Sequence, residues 1–280
     1  VANSIPALEE TLLAADLACD RLFHTAGMVH VSVMRVLLGR VHLRDCMSTT
    51  VDLISKHVEF GPKVHGVEAL QGIIQLVKCL RGQTHSGNPE TIFDDNEYAD
   101  SKVQSKRGKT LAMAHNNSTY TMLKIVAAYV YGHYAYINEM THTWHDDPQS
   151  MMNFEGSWIS HSIFTVVGLA LVNLVRTEKD PEERKKMQGR LNNIRDTMKN
   201  RAAKFPTNHA AMYYLLEAEI EDRLSEDGSK DLKTTLLRYE KAIAYAIEGD
   251  FPLHTCFSFE LAAKCHLRHG LATSARCLMT

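Results

Sequence analysis

The stretch "LLRYEKAIAYAIEGDFPLHTCFSFELAAKCHLRHGLATSARCLM", Leu236 to Met279, decides the fold class. It holds three helix-like segments, two sharp breaks and many alanines, and no residue pair in it reads as catalytic. Where two helices of a hairpin lie close, small residues must sit at the crossing and a glycine must release the turn. Ala263, Gly270 and Ala275 have that placement, with Leu267 on the same face. The stretch therefore reads as antiparallel helix pairs.

Working outward, seven prolines in 280 residues and few alternating β-branched runs favour helices throughout. The first helix reads "IPALEETLLAADLACDRLFHTAG", with Pro6 near its start and Gly27 at its end. "MVHVSVMRVLLGRVH", "RDCMSTTVDLISKHVEF" and "VHGVEALQGIIQLVKCLRGQ" follow, the second closed by Gly61-Pro62. A long polar connection spans about 83–108. "TYTMLKIVAAYVYGHYAYINEMTH" is a further helix, and a loop then leads into the apolar run "IFTVVGLALVNLV", Ile163 to Val175. "PEERKKMQGRLNNIRDTMKNRAAKF" opens with Pro181 and acids that complement the helix dipole. The last helices begin near His209, Asp231 and Pro252, and after Gly270. The expected fold is all-α, one superhelix of helix hairpins over 1–280, with an irregular period.

The small–turn–small spacing at Ala263, Gly270 and Ala275 matches the tetratricopeptide hairpin. "AAYVYGHYAYI" repeats it with Gly132, Tyr134 and Ile137, and Tyr239 followed by Ala242 supplies the second half of another hairpin. The C-terminal third goes further. "NHAAMYYLLEAEIEDRL" and the run after it resemble the helical region of very large multidomain sensor histidine kinases of fungi and bacteria. The carriers are Tyr239, Ala242, Ile243, Gly249, Glu260, Leu261, Ala262, Ala263, Gly270, Ala275 and Arg276. Upstream, the Leu38-Gly39 turn, the "LRGQT" turn at Gly82, "IFDDNEY" and the Gly132 hairpin fit the same region more loosely. The resemblance implies an architecture and no catalytic residue. It also implies neighbours in the family's order: a kinase-like domain and a P-loop ATPase module before this region, a GAF sensor and a histidine-kinase core after it.

Composition excludes other classes. A net charge of −2 argues against nucleic acid as a partner, which needs a basic face. The apolar run at 163–175 is interrupted by Asn173 and falls short of the ~20 residues a membrane span requires, so it reads as a buried helix. Six scattered cysteines without a C-x-x-C pair suit reduced thiols in the cytoplasm, and Cys265 and Cys277 read as inert thiols in apolar helices. Beginning at Val1 and ending inside an apolar helical pattern, the sequence is expected to be a piece of a longer chain. The face after Gly270 (Leu271, Ala275, Leu278) is expected to seek a partner, the parent's next helices or a second copy.

Four motifs invite chemistry and each has a plainer reading. "SKRGKT" ends like a phosphate-binding loop at Gly108-Lys109-Thr110, but Val103 stands where the earlier glycine is needed. Ser160-His161 resembles a phosphoacceptor box, but Ser162 follows where an acid is required. His142, His145 and Asp146 are permissible metal ligands with Asp147 beside them, yet no distant fourth ligand is evident. "EAEIEDRLSEDGSKD" reads as a hydrated acidic face. The expectation is therefore a non-catalytic segment with no cofactor and no metal. Its partners would be other domains of its own chain, a signalling protein or itself. The rivals are a free-standing helical-repeat adaptor and, from another class, a metal-dependent helical enzyme using His142, His145 and Asp146.

Overall fold

Left-handed residues set the helix ends. The computed structural model describes residues 4–39, 41–59, 67–100, 111–142, 158–225 and 231–279. In it Gly39, Gly82, Gly132 and Gly270 have φ of 73°, 69°, 75° and 77°. After each of the last three, the following N–H reaches back five residues: Gln83 to Lys78 O, His133 to Ala128 O and Leu271 to His266 O. This closure satisfies carbonyls that the helix end leaves open, and glycine adopts it at least cost. Cys19 (φ 57°) and Asp250 (φ 52°) make the same turn without glycine, bonding Asp20 N–H to Ala15 O and Phe251 N–H to Ala246 O.

The described residues form twelve helices and no strand. They are α1 Ser4–Leu17, α2 Arg21–Leu38, α3 Leu43–Glu59, α4 Val67–Leu80, α5 Leu111–Val130 and α6 Tyr134–Thr141. After these come α7 Trp158–Thr177, α8 Pro181–Lys204, α9 Pro206–Leu224, α10 Leu232–Glu248, α11 Pro252–Arg268 and α12 Ala272–Met279. The chain divides into two compact units, Val1–Ile137 and Asn138–Thr280.

In the first unit, α2 lies against α1, α3 and α4, and α4 against α3 and α5. Leu37, Leu38, Leu70, Ile73, Leu76 and Leu123 are fully buried there. Two sequence readings need correction. The helix expected over 5–27 breaks at Cys19, because Asp20 caps a new helix by accepting from Phe23 N–H at 3.0 Å. Gly27 then falls inside α2 rather than at a helix end. A β-carbon there would meet Leu12 Cδ2 at 2.6 Å, so it is a crossing glycine between α1 and α2. The helix expected from Thr119 begins earlier, at Leu111, and stops at Val130 before Gly132.

In the second unit, α7 lies against α8 and α9, α9 against α8, α10 and α11, α11 also against α10, and α12 against α11. Gly168 lets α7 approach Leu216 of α9 at 3.0 Å from where a β-carbon would sit. Ala242, Ala246, Ala262, Ala263 and Ala275 are all buried, which answers the alanine density of the opening stretch. Leu267, expected on that buried face, is 57% exposed. Proline at the first turn starts α8, α9 and α11, with Asp180 accepting from Glu182 N–H at 2.9 Å to cap α8. Helix α9 therefore begins at Pro206, before His209. The apolar run 163–175 is a buried helix. No described helix is long and apolar enough to cross a membrane. Asn173, the polar interruption in that run, accepts from Arg223 Nη2 at 2.7 Å and so ties α7 to α9.

Candidate functional site

Among the described residues each unit holds a buried polar cluster. In the first, the connection after α4 supplies it. Residues 81–99 contain no helix, but Ile92 and Phe93 are fully buried, and Asp100 just after them is nearly so. Asp100 Oδ2 pairs with Lys124 Nζ at 2.7 Å, and its Oδ1 accepts from Tyr120 OH at 2.9 Å. Tyr98 OH lies 3.0 Å from Tyr120 OH, and Lys124 Nζ also donates to Glu90 O at 3.3 Å. Phe93 meets the Tyr120 ring edge-on at 5.5 Å between centroids. Burial pulls the Lys124 ammonium down, but Asp100 and Tyr136 outweigh it and the net shift is upward. Lys124 is thus held charged and is no nucleophile. Nearby, Asp95 bonds Lys78 at 2.7 Å and accepts from the N–H groups of Glu97 and Tyr98, both at 2.8 Å. These contacts outweigh burial and lower its carboxyl. The cluster pins a non-helical segment to α4 and α5.

The second cluster lies where α9, α10 and α11 meet. The i, i+3 spacing of Glu219 and Asp222 puts both on the α9 stripe that also carries Leu215, and both are buried. This overturns the hydrated-face reading of that acidic run at these two residues, while Glu226 and Asp227 lie outside the described residues. Glu219 accepts from Tyr239 OH, a residue singled out above for its repeat position. Arg268 Nη2 bonds Asp222 Oδ2 and lies 3.4 Å from Glu219 Oε1. His269 Nε2 lies 2.9 Å from Asp222 Oδ1. Burial raises the Glu219 carboxyl above its ordinary range. At Asp222 burial works the same way, but the bonds from His269 and Arg268 win and lower it. The Cys265 thiol, fully buried beside Asp222, is pushed up to about 12 by burial and by that carboxylate.

The other residues singled out from sequence are placed as follows. Gly132 forms the left-handed turn between α5 and α6, and Tyr134 packs on Tyr129 at 5.8 Å between ring centroids. Tyr239, Ala242, Ala263 and Ala275 are buried, and Gly270 releases α11 into α12. Of the proposed metal candidates only His142 is described. It is exposed, with Nδ1 against Glu139 O, while His145 and Asp146 lie outside the described residues. Gly108, Lys109 and Thr110 lie outside them too, and so does the side chain of His161, whose backbone belongs to α7. Cys277 is exposed rather than buried. The Asp222–Cys265–His269 convergence escaped the sequence, because 43 positions separate Asp222 from Cys265 and no local motif links them. The i, i+4 pair Cys265/His269 was the one local signal available.

No family model matches the chain. No curated protein and no solved structure is significantly similar to it.

Proposed function

We propose that the chain is a tetratricopeptide-like helical-repeat segment with a regulatory, non-catalytic role in a multidomain sensor histidine kinase. It would couple an upstream ATPase-like module to downstream sensor and kinase domains in a cytoplasmic phosphorelay. The observation that carries this reading is the contact order of the second unit. Each of α7 and α9 touches both its successor and the helix after that, and α8 and α10 each touch the helix that follows. This is the contact pattern of stacked hairpins, in which a displacement at one end is handed to the next neighbour. The residues carrying the resemblance supply those contacts, with Tyr239, Ala242 and Ala263 buried between α9, α10 and α11.

The test uses the longer protein that this reading implies. Its transcript should encode a phosphoacceptor box and a nucleotide-binding kinase core after this region. In that protein Ala263→Leu, which overpacks the α11 crossing by ~1–3 kcal/mol, should change the rate of histidine autophosphorylation while leaving nucleotide affinity alone. A transcript lacking both kinase elements would remove this reading in favour of a free-standing adaptor. The 280-residue chain itself should neither turn over ATP nor take up phosphate at His161. Saturable turnover abolished by Lys109→Ala would make it an enzyme.

A further inference from the structure

Three metal-donor atoms converge at the α9–α11 contact: a carboxylate oxygen of Asp222, Sγ of Cys265 and a ring nitrogen of His269, all within 4.8 Å of one another. Among the described residues no other group of three His, Cys, Asp or Glu side chains does so. Asp222 comes from the last turn of α9, and Cys265 and His269 from one face of the end of α11, one turn apart. Tetrahedral zinc with bonds of roughly 2.0–2.3 Å spaces its ligands about 3.3–3.8 Å apart, so donors that already lie within 4.8 Å of one another need only small shifts to complete the set.

We propose that Asp222, Cys265 and His269 bind one zinc-like divalent transition-metal ion that cross-links α9 to the end of α11. The present hydrogen bonds show how the ion would enter. Asp222 holds the His269 ring at 2.9 Å and also bonds the Cys265 thiol. One cation replaces both of those protons. The thiol proton is released to solvent as the sulfur–metal bond forms. His269 gives its Nε2 lone pair to the metal and carries its ring proton on Nδ1, any proton held at Nε2 leaving to solvent.

Charge favours the exchange. The Asp222 carboxylate and the Cys265 thiolate together cancel a divalent ion. Arg268, which now shares itself between Asp222 and Glu219, stays paired with Glu219. The mixed sulfur, nitrogen and oxygen donors select zinc or cobalt over magnesium or calcium, which prefer oxygen throughout. Access comes from the His269 side. Its side chain is 27% exposed at the end of α11, whereas Asp222 and Cys265 are sealed. A water would take the fourth position on that rim.

The test titrates the reduced, chelator-stripped 280-residue chain with Co²⁺, then with Zn²⁺ in competition. One equivalent of Co²⁺ should bind and give a thiolate-to-metal charge-transfer band that Zn²⁺ bleaches. Cys265→Ser should remove the band. His269→Ala, at an exposed position that leaves α11 intact, should weaken binding by about tenfold or more. The exposed thiols Cys19, Cys256 and Cys277 provide the control, and replacing all three with serine should keep the band. Zinc should also raise the melting temperature of the wild type and not that of His269→Ala. A band that survives Cys265→Ser, a band lost with the three exposed thiols, or no saturable binding would each overturn the proposal.

Discussion

The two buried clusters are built from the same chemistry, an aspartate, a cation and a tyrosine, and they do different work. In the first unit Asp100 closes the non-helical stretch 81–99 and meets Lys124 and Tyr120 of α5. Both members of its ion pair are sealed, at 4% and 2% side-chain exposure. In the second unit Asp222 meets Arg268 and His269, each with 27% of its side chain exposed, and a thiol lies beside them. A sealed pair can only hold, whereas a pair with an open rim and a soft donor can exchange protons for an ion. The difference comes from where the cation sits. Lys124 is mid-helix, while Arg268 and His269 stand at the end of α11, where the chain turns away at Gly270.

The sharpest way to break this comparison is to remove each cation. Lys124→Met takes the one cation of this ion pair away from Asp100 in the interior while Tyr120 still donates to it, and should cost about 3–5 kcal/mol of unfolding free energy. Arg268→Met leaves Asp222 its bond from His269, and Glu219 can take a proton, so the cost should be smaller, about 1–3 kcal/mol. Urea unfolding followed by circular dichroism measures both. Equal losses would mean that the two clusters are equally closed.

Much of the fold was legible in the sequence, and the failures share one cause. Helices, their proline starts and the turns at Gly39, Gly82, Gly132 and Gly270 follow from local chemistry, and the structure has them. Gly27 looked like a helix end because a crossing glycine and a terminal glycine are locally identical. Only Leu12, fifteen positions away, separates them. Glu219 and Asp222 looked hydrated because the partners that justify their burial, Tyr239, Arg268 and His269, lie up to 50 positions downstream. Polar "IFDDNEY" gave no periodicity, yet its Ile92 and Phe93 are core residues of the first unit. The candidate site was thus less readable than the scaffold, since it is assembled wholly from long-range contacts.

The units should also differ in acid. His254 is buried in α11, and burial lowers its pKa to about 4 from an ordinary 6.5. His209, in α9, is lowered to about 4 by burial and by Arg201. As pH falls below 6.5 the unfolded chain takes up these protons before the folded one does. Their contribution is complete above about pH 6.5 and drains away as pH falls through 4. For His254 alone the loss should be about 3 kcal/mol. Unfolding free energies of wild type and His254→Gln between pH 7 and 4 test this. Parallel curves for the two proteins would show that His254 does not titrate in that window.

The smallest expected effect compares one turn in each unit. The α1–α2 turn places Cys19 at φ 57°, and the α11–α12 turn places Gly270 at φ 77°, with the same backbone closure in both. A β-carbon in the left-handed region costs roughly 1–2 kcal/mol, partly offset in the unfolded chain by the smaller entropy that a side chain leaves to lose. Cys19 is exposed, so its side chain has little burial to forfeit. Nothing lies within 4 Å of a β-carbon built at Gly270, so a substitution there adds backbone strain alone. Cys19→Gly should therefore stabilise the chain by up to about 1 kcal/mol, and Gly270→Ala should destabilise it by about 1 kcal/mol. Thermal unfolding of the two single variants measures the pair. If both shift in the same direction, the Cys19 and Gly270 turns are not equivalent.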